Sequence, residues 1–267
     1  MAGNPAKFNA RSYLEARFAG PKEFRSEFYL RNFHEFYQKY HSEWDVQTAR
    51  LLEFSGGPCI HTLISAAPYV SEIVFTDFAE DNLQEVKLWR DNDPSSFNWS
   101  SFFKYVVEEL EGQSQCPTAV AVDREKVLRD RVTSIIPCDI LQDNPLLVAS
   151  AGGGSSPQAL FDIVSCNLTI VTTSKTLDEY KTNVKKLLSL LKPGGFYIGV
   201  EALEVTWWSA GETKYPTVTF TANGLHDTLR ATGLEVLGSC HVDVPESSRF
   251  KSSDTKAYIF TVARKVS

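Results

Sequence analysis

The chain has 267 residues, 43% of them apolar and 12% aromatic, enough to bury a sizeable core in one large domain or two small ones. Its 27 basic residues are scattered among 33 acidic ones, and the net charge of -6 gives no footprint for nucleic acid or an anionic membrane, so small or neutral partners are expected. Five dispersed cysteines without a CxxC, no apolar signal core in MAGNPAKFNARSY and no apolar run near the ~20 residues that span a bilayer predict a reducing, cytoplasmic setting.

Residues 10–48 repeat aromatics at helical spacing, from Tyr13 and Phe18 through Phe28, Tyr29, Phe33, Phe36 and Tyr37, and predict a helical cover on the core. An apolar strand follows at 50–54 and runs into Ser55-Gly56-Gly57-Pro58. The segment CIHTLISAAPYV then carries Ile60, Leu63, Ile64 and Ala67 on one face of a predicted helix, and EIVFTDF reads as a second strand.

Helices are expected at 79–91 and 97–111, and strands at VTSIIPCDI and at the near-continuous apolar run LFDIVSCNLTI. Between those strands, NPLLVASAGGGSSPQA reads as a flexible surface loop. Thr173 or Ser174 is expected to cap a helix through LDEYKTNVKKLLSLLK that stops at Pro193-Gly194-Gly195, followed by a fifth strand, FYIGVEAL. A helix at 221–232 and two β-rich stretches, LEVLGSCHVDV and AYIFTVARK, close the chain. Strands alternating with helices, ending in an antiparallel pair, predict one doubly wound α/β sheet.

In such sheets ligands bind beyond the carboxyl ends of the strands, where Glu53, Gly56, Gly57, Asp77, Asp139, Cys166 and Glu201 fall. Asp77 ends the second strand twenty residues after Gly57, the spacing at which a carboxylate accepts the two hydroxyls of a ribose. The plainer reading of Asp77 is a helix cap at the strand end; Asn82 reads as a cap or a solvated residue, and Asp139 as an edge-on partner of an adenine amino group or, equally, an ordinary turn aspartate. A pyrophosphate turn wants G-x-G-x-x-G, whereas S-G-G-P lacks its first glycine and no third glycine follows. S-adenosylmethionine has no phosphate and needs only one close glycine contact, so the turn leans to that cofactor. His61 reads by itself as a surface or capping histidine, Trp207 and Trp208 as packing residues, and Glu201 and Glu204 as solvated acids of a post-strand loop. Five scattered histidines make no metal site, and no metal is expected.

FNARSYLEARF, LLEFSGGPCIHTLISA, EIVFTDFAEDNLQEVKLWRD, FNWSSFFKYVVEELEG, IIPCDILQDNPL, LLKPGGFYIGVEALEVTWWSAGE and FTVARK, spread in order over almost the whole chain, resemble the small-molecule amine N-methyltransferases that act on nicotinamide, phenylethanolamine and indolethylamine. The resemblance implies a Rossmann-like class I methyltransferase fold, a seven-stranded mostly parallel sheet, forming a single domain over 1–267 with residues 1–48 as a helical cap over the active site. It implies that Tyr13 closes over the cofactor, that Ser55, Gly56 and Gly57 line its methionine part, that Asp77 holds the ribose with Phe78 and Asn82 beside it, that Asp139 and Ile140 meet the adenine, and that Cys166 lies near the sulfonium. On the acceptor side it implies Asn167, Glu201, Val205, Trp208 and Thr217, with Trp207 and Glu204 alongside.

The chain departs from the family at Ser55, a glycine there, at Glu53, an aspartate, and at Phe18 and His61, two cofactor-contacting tyrosines. Two lost hydroxyls at ~1 kcal/mol each would weaken cofactor binding roughly tenfold or more. An acid at Glu201 resembles the nicotinamide enzymes and one at Glu204 the phenylethanolamine enzymes, whose second acid is Ile170 here. The expected activity is therefore methylation of a pyridine nitrogen by a cytoplasmic monomer, with a phenylethanolamine or arylalkylamine acceptor, and a catalytically silent adenosyl-ligand binder, as the alternatives.

Overall fold

The computed structural model of the chain describes residues 9–146, 160–210, 213–248 and 252–266. The glycine-rich segment expected as a surface loop lies outside the described residues from 147 to 159.

Seven strands form one sheet: β1 (Arg50–Phe54), β2 (Glu72–Asp77), β3 (Val132–Pro137), β4 (Phe161–Cys166), β5 (Leu191–Leu203), β8 (Leu234–Asp243) and β9 (Ala257–Lys265). Their order is β3-β2-β1-β4-β5-β9-β8, so the chain runs outward from β1 to β3 and then crosses back to place β4 on the other side of β1. Pairs β2–β3 and β4–β5 are parallel, and β9 runs antiparallel to both β5 and β8. The expected doubly wound, mostly parallel sheet with an antiparallel close is what forms. Leu51, Leu52 and Phe54 of β1, and every residue from Phe196 to Leu203 of β5, are buried, as strands covered on both faces require. A separate hairpin, β6 (Trp207–Ala210) with β7 (Thr213–Pro216), follows β5; it is too short for its alternation to stand out in the sequence.

The chain falls into two compact units, Asn9–Leu52 with Gly56–Pro137, and Glu53–Ser55 with the described part of Cys138–Ser267. The first holds α1 (Ala10–Arg17), α2 (Phe24–Tyr40), α3 (Glu80–Arg90), α4 (Ser100–Tyr105) and α5 (Pro117–Arg131). Asn9 caps α1 by accepting the Ser12 amide at 2.7 Å, and α2 buries Phe28, Tyr29, Phe33, Phe36 and Tyr37 along one stripe, so the aromatic spacing of the N-terminal region is a helical face. Sequence periodicity misses α5 because only Ala121 and Leu128 of it are buried; its readable signal is Pro117 in the first turn. The helix expected at 97–111 starts at Ser100 and widens into a π turn over Val106–Leu110, where the Glu111 amide reaches back to Val106 O.

The second unit holds α6 (Thr169–Thr173), α7 (Leu177–Ser189) and α8 (Ala222–Ala231), with α6 and α7 against β5 and α8 against β8. Three expectations change here. Strand β4 ends at Cys166 rather than Ile170: the Thr172 and Ser174 amides donate to Leu168 O and Ile170 O at 3.2 and 3.1 Å and form a short helix, to whose carbonyls the Thr172 and Thr173 hydroxyls also bond, each at 2.7 Å. The cap of α7 is Thr176, not Thr173 or Ser174; its Oγ1 accepts the Glu179 amide at 3.2 Å. Finally, α7 stops at Ser189, and Pro193-Gly194-Gly195 lies inside β5 as an irregularity, with register jumping from Phe161↔Leu191 to Ile163↔Phe196. Gly194 there has φ +74, and a Cβ on Gly195 would lie 2.9 Å from Asp162 O, so both glycines are needed.

In the first unit, residues 59–70 form one 3-10 turn, His61–Leu63, and successive i→i+3 turns instead of an α-helix. Pro68 offers no amide to Ile64 and its ring crowds that carbonyl, so an α-helix cannot run through it.

Candidate functional site

Backbone conformation marks the carboxyl ends of three neighbouring strands. Ser55, just after β1, has φ +57; Leu168, two residues after β4, has φ +61; Glu204, just after β5, has φ +48. Left-handed non-glycine residues cost of order 1 kcal/mol or more each, and clusters of them accompany functional sites. Ser55 thus occupies a region that glycine would enter without strain, and Gly57, φ +67, supplies the next such step.

In the first unit the glycine turn and Asp77 form one hydrogen-bonded piece. The Gly57 amide donates to Asp77 Oδ2 at 2.8 Å, and the Ala79 amide and Asn82 Nδ2 donate to Oδ1, each at 2.8 Å. Asp77 is 4% exposed; burial raises its carboxyl above the ordinary range while these donors pull it back. The cap of α3 is Ala79, without a side-chain cap bond, so Asp77 is not the helix cap itself; its Oδ1 ties the Ala79 amide and the Asn82 side chain to the end of β2, and its Oδ2 takes the Gly57 amide. Phe78 beside it is 62% exposed, an unusual position for a phenylalanine and one that offers a flat apolar face.

His61 is buried, which corrects the reading of a surface or capping histidine. It packs on Phe18 (ring centroids 4.8 Å), on Tyr29 (5.3 Å) and parallel to Trp99 (6.0 Å), and its Nδ1 has no hydrogen-bond partner among the described residues. Burial, reinforced by the Arg25 charge, pulls the imidazole down to about 3, so it is neutral. Phe18 fills the same aromatic cluster, 4.8 Å from His61 and 5.2 Å from Trp99 between ring centroids. Tyr13 hydrogen-bonds Arg25; burial raises its hydroxyl against the opposing pull of that guanidinium.

In the second unit Glu201 is the centre. It lies within β5, not in a post-strand loop, and is 3% exposed. The Tyr180 hydroxyl of α7 donates to Glu201 Oε1 at 3.1 Å, while Oε2 is buried without a hydrogen-bond partner among the described residues. Burial pushes the carboxyl up to about 8, against the Tyr180 hydroxyl and the Val171 amide. Tyr197, four residues before Glu201 on β5, and Cys166 at the end of β4 are also fully buried, and burial with the Glu201 charge holds both well above their ordinary values. Cys166 is thus a neutral, unreactive thiol. Sequence reading missed Tyr180 and Tyr197, although the even spacing of Tyr197 and Glu201 puts them on one face of a strand.

Asn167 ties three segments: its Nδ2 donates to Glu53 Oε1 at 3.1 Å and to Ser165 Oγ at 3.2 Å, and its Oδ1 accepts the Val200 amide at 3.0 Å. The strands come so close there that a Cβ on Gly199 would lie 2.0 Å from Cys166 O. Gly199→Ala is expected to destabilise by roughly 3 kcal/mol or more, read as a thermal-melt shift of several degrees; an unchanged melt would refute this packing.

The remaining expected residues divide. Thr217 Oγ1 donates to Val171 O, and Val205 is buried. Trp208 Nε1 donates to Thr172 O at 3.1 Å and its ring stacks on Tyr215, whereas Trp207, on the other face of β6, lies under Lys214 Nζ at 3.7 Å. Glu204 is not brought to Glu201: its side chain is half exposed and pairs with Lys256 at 2.7 Å. Asp139 behaves as a turn residue, accepting the Leu141 amide at 2.9 Å and Gln142 Nε2 at 3.1 Å. Ile140 is buried with its carbonyl held by Lys186, and Leu141 is the exposed apolar neighbour. No group of residues able to hold a metal occurs among the described residues, and no helix there is long and apolar enough to cross a membrane.

This strand order, with left-handed residues and the Gly57–Asp77 pair at the strand ends, is the fold of S-adenosylmethionine-dependent methyltransferases. Such an enzyme from Clostridium acetobutylicum ATCC 824 superposes with a TM-score of 0.54 at 12% identity, covering 96% of this chain and 100% of that one. Another, from Methanosarcina mazei, gives 0.55 at 11%, covering 86% and 98%. Residues 3–266 match the NNMT/PNMT/TEMT family, and the chain belongs to it, a family of S-adenosylmethionine-dependent N-methyltransferases. Among its relatives, nicotinamide N-methyltransferase of Sus scrofa is 30% identical over 97% of this chain and 94% of that protein. Phenylethanolamine N-methyltransferase of Homo sapiens is 29% identical over 83% and 75%, and indolethylamine N-methyltransferase of Mus musculus 30% over 80% and 76%.

Proposed function

We propose that the protein methylates the ring nitrogen of nicotinamide or a related pyridine. The observation that carries this reading is Glu201: a carboxyl held at one oxygen by Tyr180 and left at the other without a partner among the described residues, in a buried setting. Such an oxygen suits the N–H of a ring carboxamide, and its ionised form favours a ring nitrogen that becomes cationic. The exposed Glu204–Lys256 pair speaks against a second carboxylate for an ammonium acceptor.

Asp77, Gly57, Asn82, Phe78 and Tyr13 are assigned to the cofactor, with Asp77 accepting ribose hydroxyls through Oδ2; Trp208, Val205 and Thr217 are assigned to the acceptor side. When bound, S-adenosylmethionine supplies a methyl group already activated by the sulfonium charge. A pyridine nitrogen attacks with its own lone pair, so the chain's residues need to orient the acceptor and exclude water rather than furnish a nucleophile, and orientation can contribute ~7 to 11 kcal/mol. No proton leaves a pyridine in this step, so no general base is required.

A methyl-transfer screen over nicotinamide, quinoline, tryptamine and phenylethanolamine, with calorimetry on S-adenosylhomocysteine and NAD, tests the reading. Turnover of nicotinamide or quinoline above the amines is expected. Preference for phenylethanolamine or tryptamine selects the arylalkylamine reading, binding without turnover selects a silent adenosyl-ligand binder, and binding of NAD alone discards methyl transfer.

A further inference from the structure

We propose that Tyr180 is a positioning residue for methyl transfer: its hydroxyl holds Glu201 at Oε1, fixes the plane of the carboxyl and leaves Oε2 as the oxygen open to the acceptor. The inference rests on Glu201 serving the acceptor, and its residues all lie in the unit of Glu53–Ser55 with Cys138–Ser267.

The contact joins two elements, α7 and β5, across twenty-one residues of sequence, at 3.1 Å. Thr176 caps α7 one turn before Tyr180, and the Tyr180 amide bonds back to Thr176 O at 3.1 Å, so the residue sits in the capped first turn of the helix. Its ring is fully buried and packs edge-on against Phe220, with centroids 4.7 Å apart. One turn on, Asn183 Nδ2 donates to Ser174 Oγ at 3.1 Å and ties the same helix to the residue that follows α6. Packing alone would be served by phenylalanine at 180, as Val184, Leu187 and Leu188 serve it along the rest of the buried face. A hydroxyl and a carboxyl buried against each other are instead each costly to desolvate, a cost that an apolar pair in the same place would not carry. A pair kept in spite of that cost points to the geometry it gives the carboxyl.

The other neighbours of Glu201 do not supply this contact. Ile259 of β9, directly opposite, is apolar. Tyr197 Oη has no hydrogen-bond partner among the described residues, and Cys166 is a neutral thiol. Glu53, whose charge also reaches Cys166, is bonded by Asn167. The Val171 amide of α6 is the second donor to the carboxyl, and no lysine or arginine among the described residues acts on it. Tyr180 is thus the side-chain donor that favours a carboxylate where burial favours the acid.

Nicotinamide turnover would be followed against pH in the unaltered chain, Tyr180→Phe, Glu201→Gln and the double variant. Tyr180→Phe keeps the ring and its packing on Phe220. It is expected to move the rise in kcat/KM upward by about one pH unit, the scale of one hydrogen bond to a charged group, and to lower kcat/KM on the rising limb roughly tenfold. In the Glu201→Gln background the same substitution is expected to cost less than about threefold, because no carboxylate is left to hold. Equal losses in the two backgrounds, or an unmoved pH profile, would reduce Tyr180 to packing and overturn the assignment. 3-Fluorotyrosine at 180, a stronger donor of nearly the same shape, is expected to move the rise downward and serves where the phenylalanine variant does not fold; no shift, or an upward one, overturns the assignment as well. Full activity of Glu201→Gln, or no nicotinamide turnover by the unaltered chain, overturns instead the acceptor reading on which it stands.

Discussion

Glu201→Gln is expected to lower kcat for nicotinamide about 100-fold, the scale for removing one preorganised group that stabilises developing charge, and to abolish a rise in kcat/KM with pH. Below about 8 the buried carboxyl of the unaltered chain is protonated; above it the carboxylate forms and favours the cationic ring. A pyridine does not titrate in this range, so a rise between about pH 7 and 9 reports the enzyme. The same substitution is expected to act on stability with the opposite sign. The folded-state pKa of Glu201 lies above its unfolded value of about 4.5, so its contribution is fully present below that value, is lost progressively as pH rises to about 8, and is flat beyond. At roughly 1.4 kcal/mol per unit, Glu201→Gln is expected to be nearly neutral to stability at pH 4.5 and stabilising by roughly 3 to 5 kcal/mol at pH 9. Denaturant melts at the two pH values, with pH–rate profiles, check both arms. A glutamine variant with full activity and an unchanged pH profile would remove the carboxylate from the mechanism, and one no more stable at pH 9 would remove its burial cost. A group that destabilises the fold while serving the reaction is the expected trade at an active site.

Asp77→Asn is the second large effect. The carboxylate accepts three hydrogen bonds from Gly57, Ala79 and Asn82, and an amide in the same place turns one acceptor into a donor that meets an N–H. We expect a loss of roughly 1 to 3 kcal/mol in stability from the mispaired group and at least about a 100-fold loss of S-adenosylhomocysteine affinity, because the turn loosens and a ribose acceptor disappears together. 5′-Methylthioadenosine, which keeps the adenosine and lacks the amino-acid arm, should weaken equally, since both ligands carry the ribose. Unchanged affinity for either ligand would leave Asp77 as a helix-start residue alone.

The sequence by itself determined the alternating order of strands and helices, the antiparallel close and the positions of Gly57 and Asp77 at strand ends. These rest on local causes: apolar runs that must be covered on both faces, aromatic repeats at helical spacing, and residues at fixed offsets along one chain. Its errors arose where a local preference was overridden by a partner. Pro193-Gly194-Gly195 reads as a helix stop, yet it is an irregularity inside β5, whose pairing with β4 starts before it and resumes after it, and the apolar run after Cys166 reads as strand, yet its backbone closes a short helix after a left-handed Leu168.

Only the tertiary structure decided which of two acids three residues apart is buried. Glu201 and Glu204 read alike as solvated acids, but Tyr180, twenty-one residues earlier, and a sheet closed on both sides make Glu201 a high-pKa carboxyl, whereas Glu204 turns out through a left-handed residue to Lys256. The same holds for His61 and Arg25, whose relation depends on α2 lying near the glycine turn. Burial and charge coupling are sums over neighbours distant in sequence, and no window along the chain contains them.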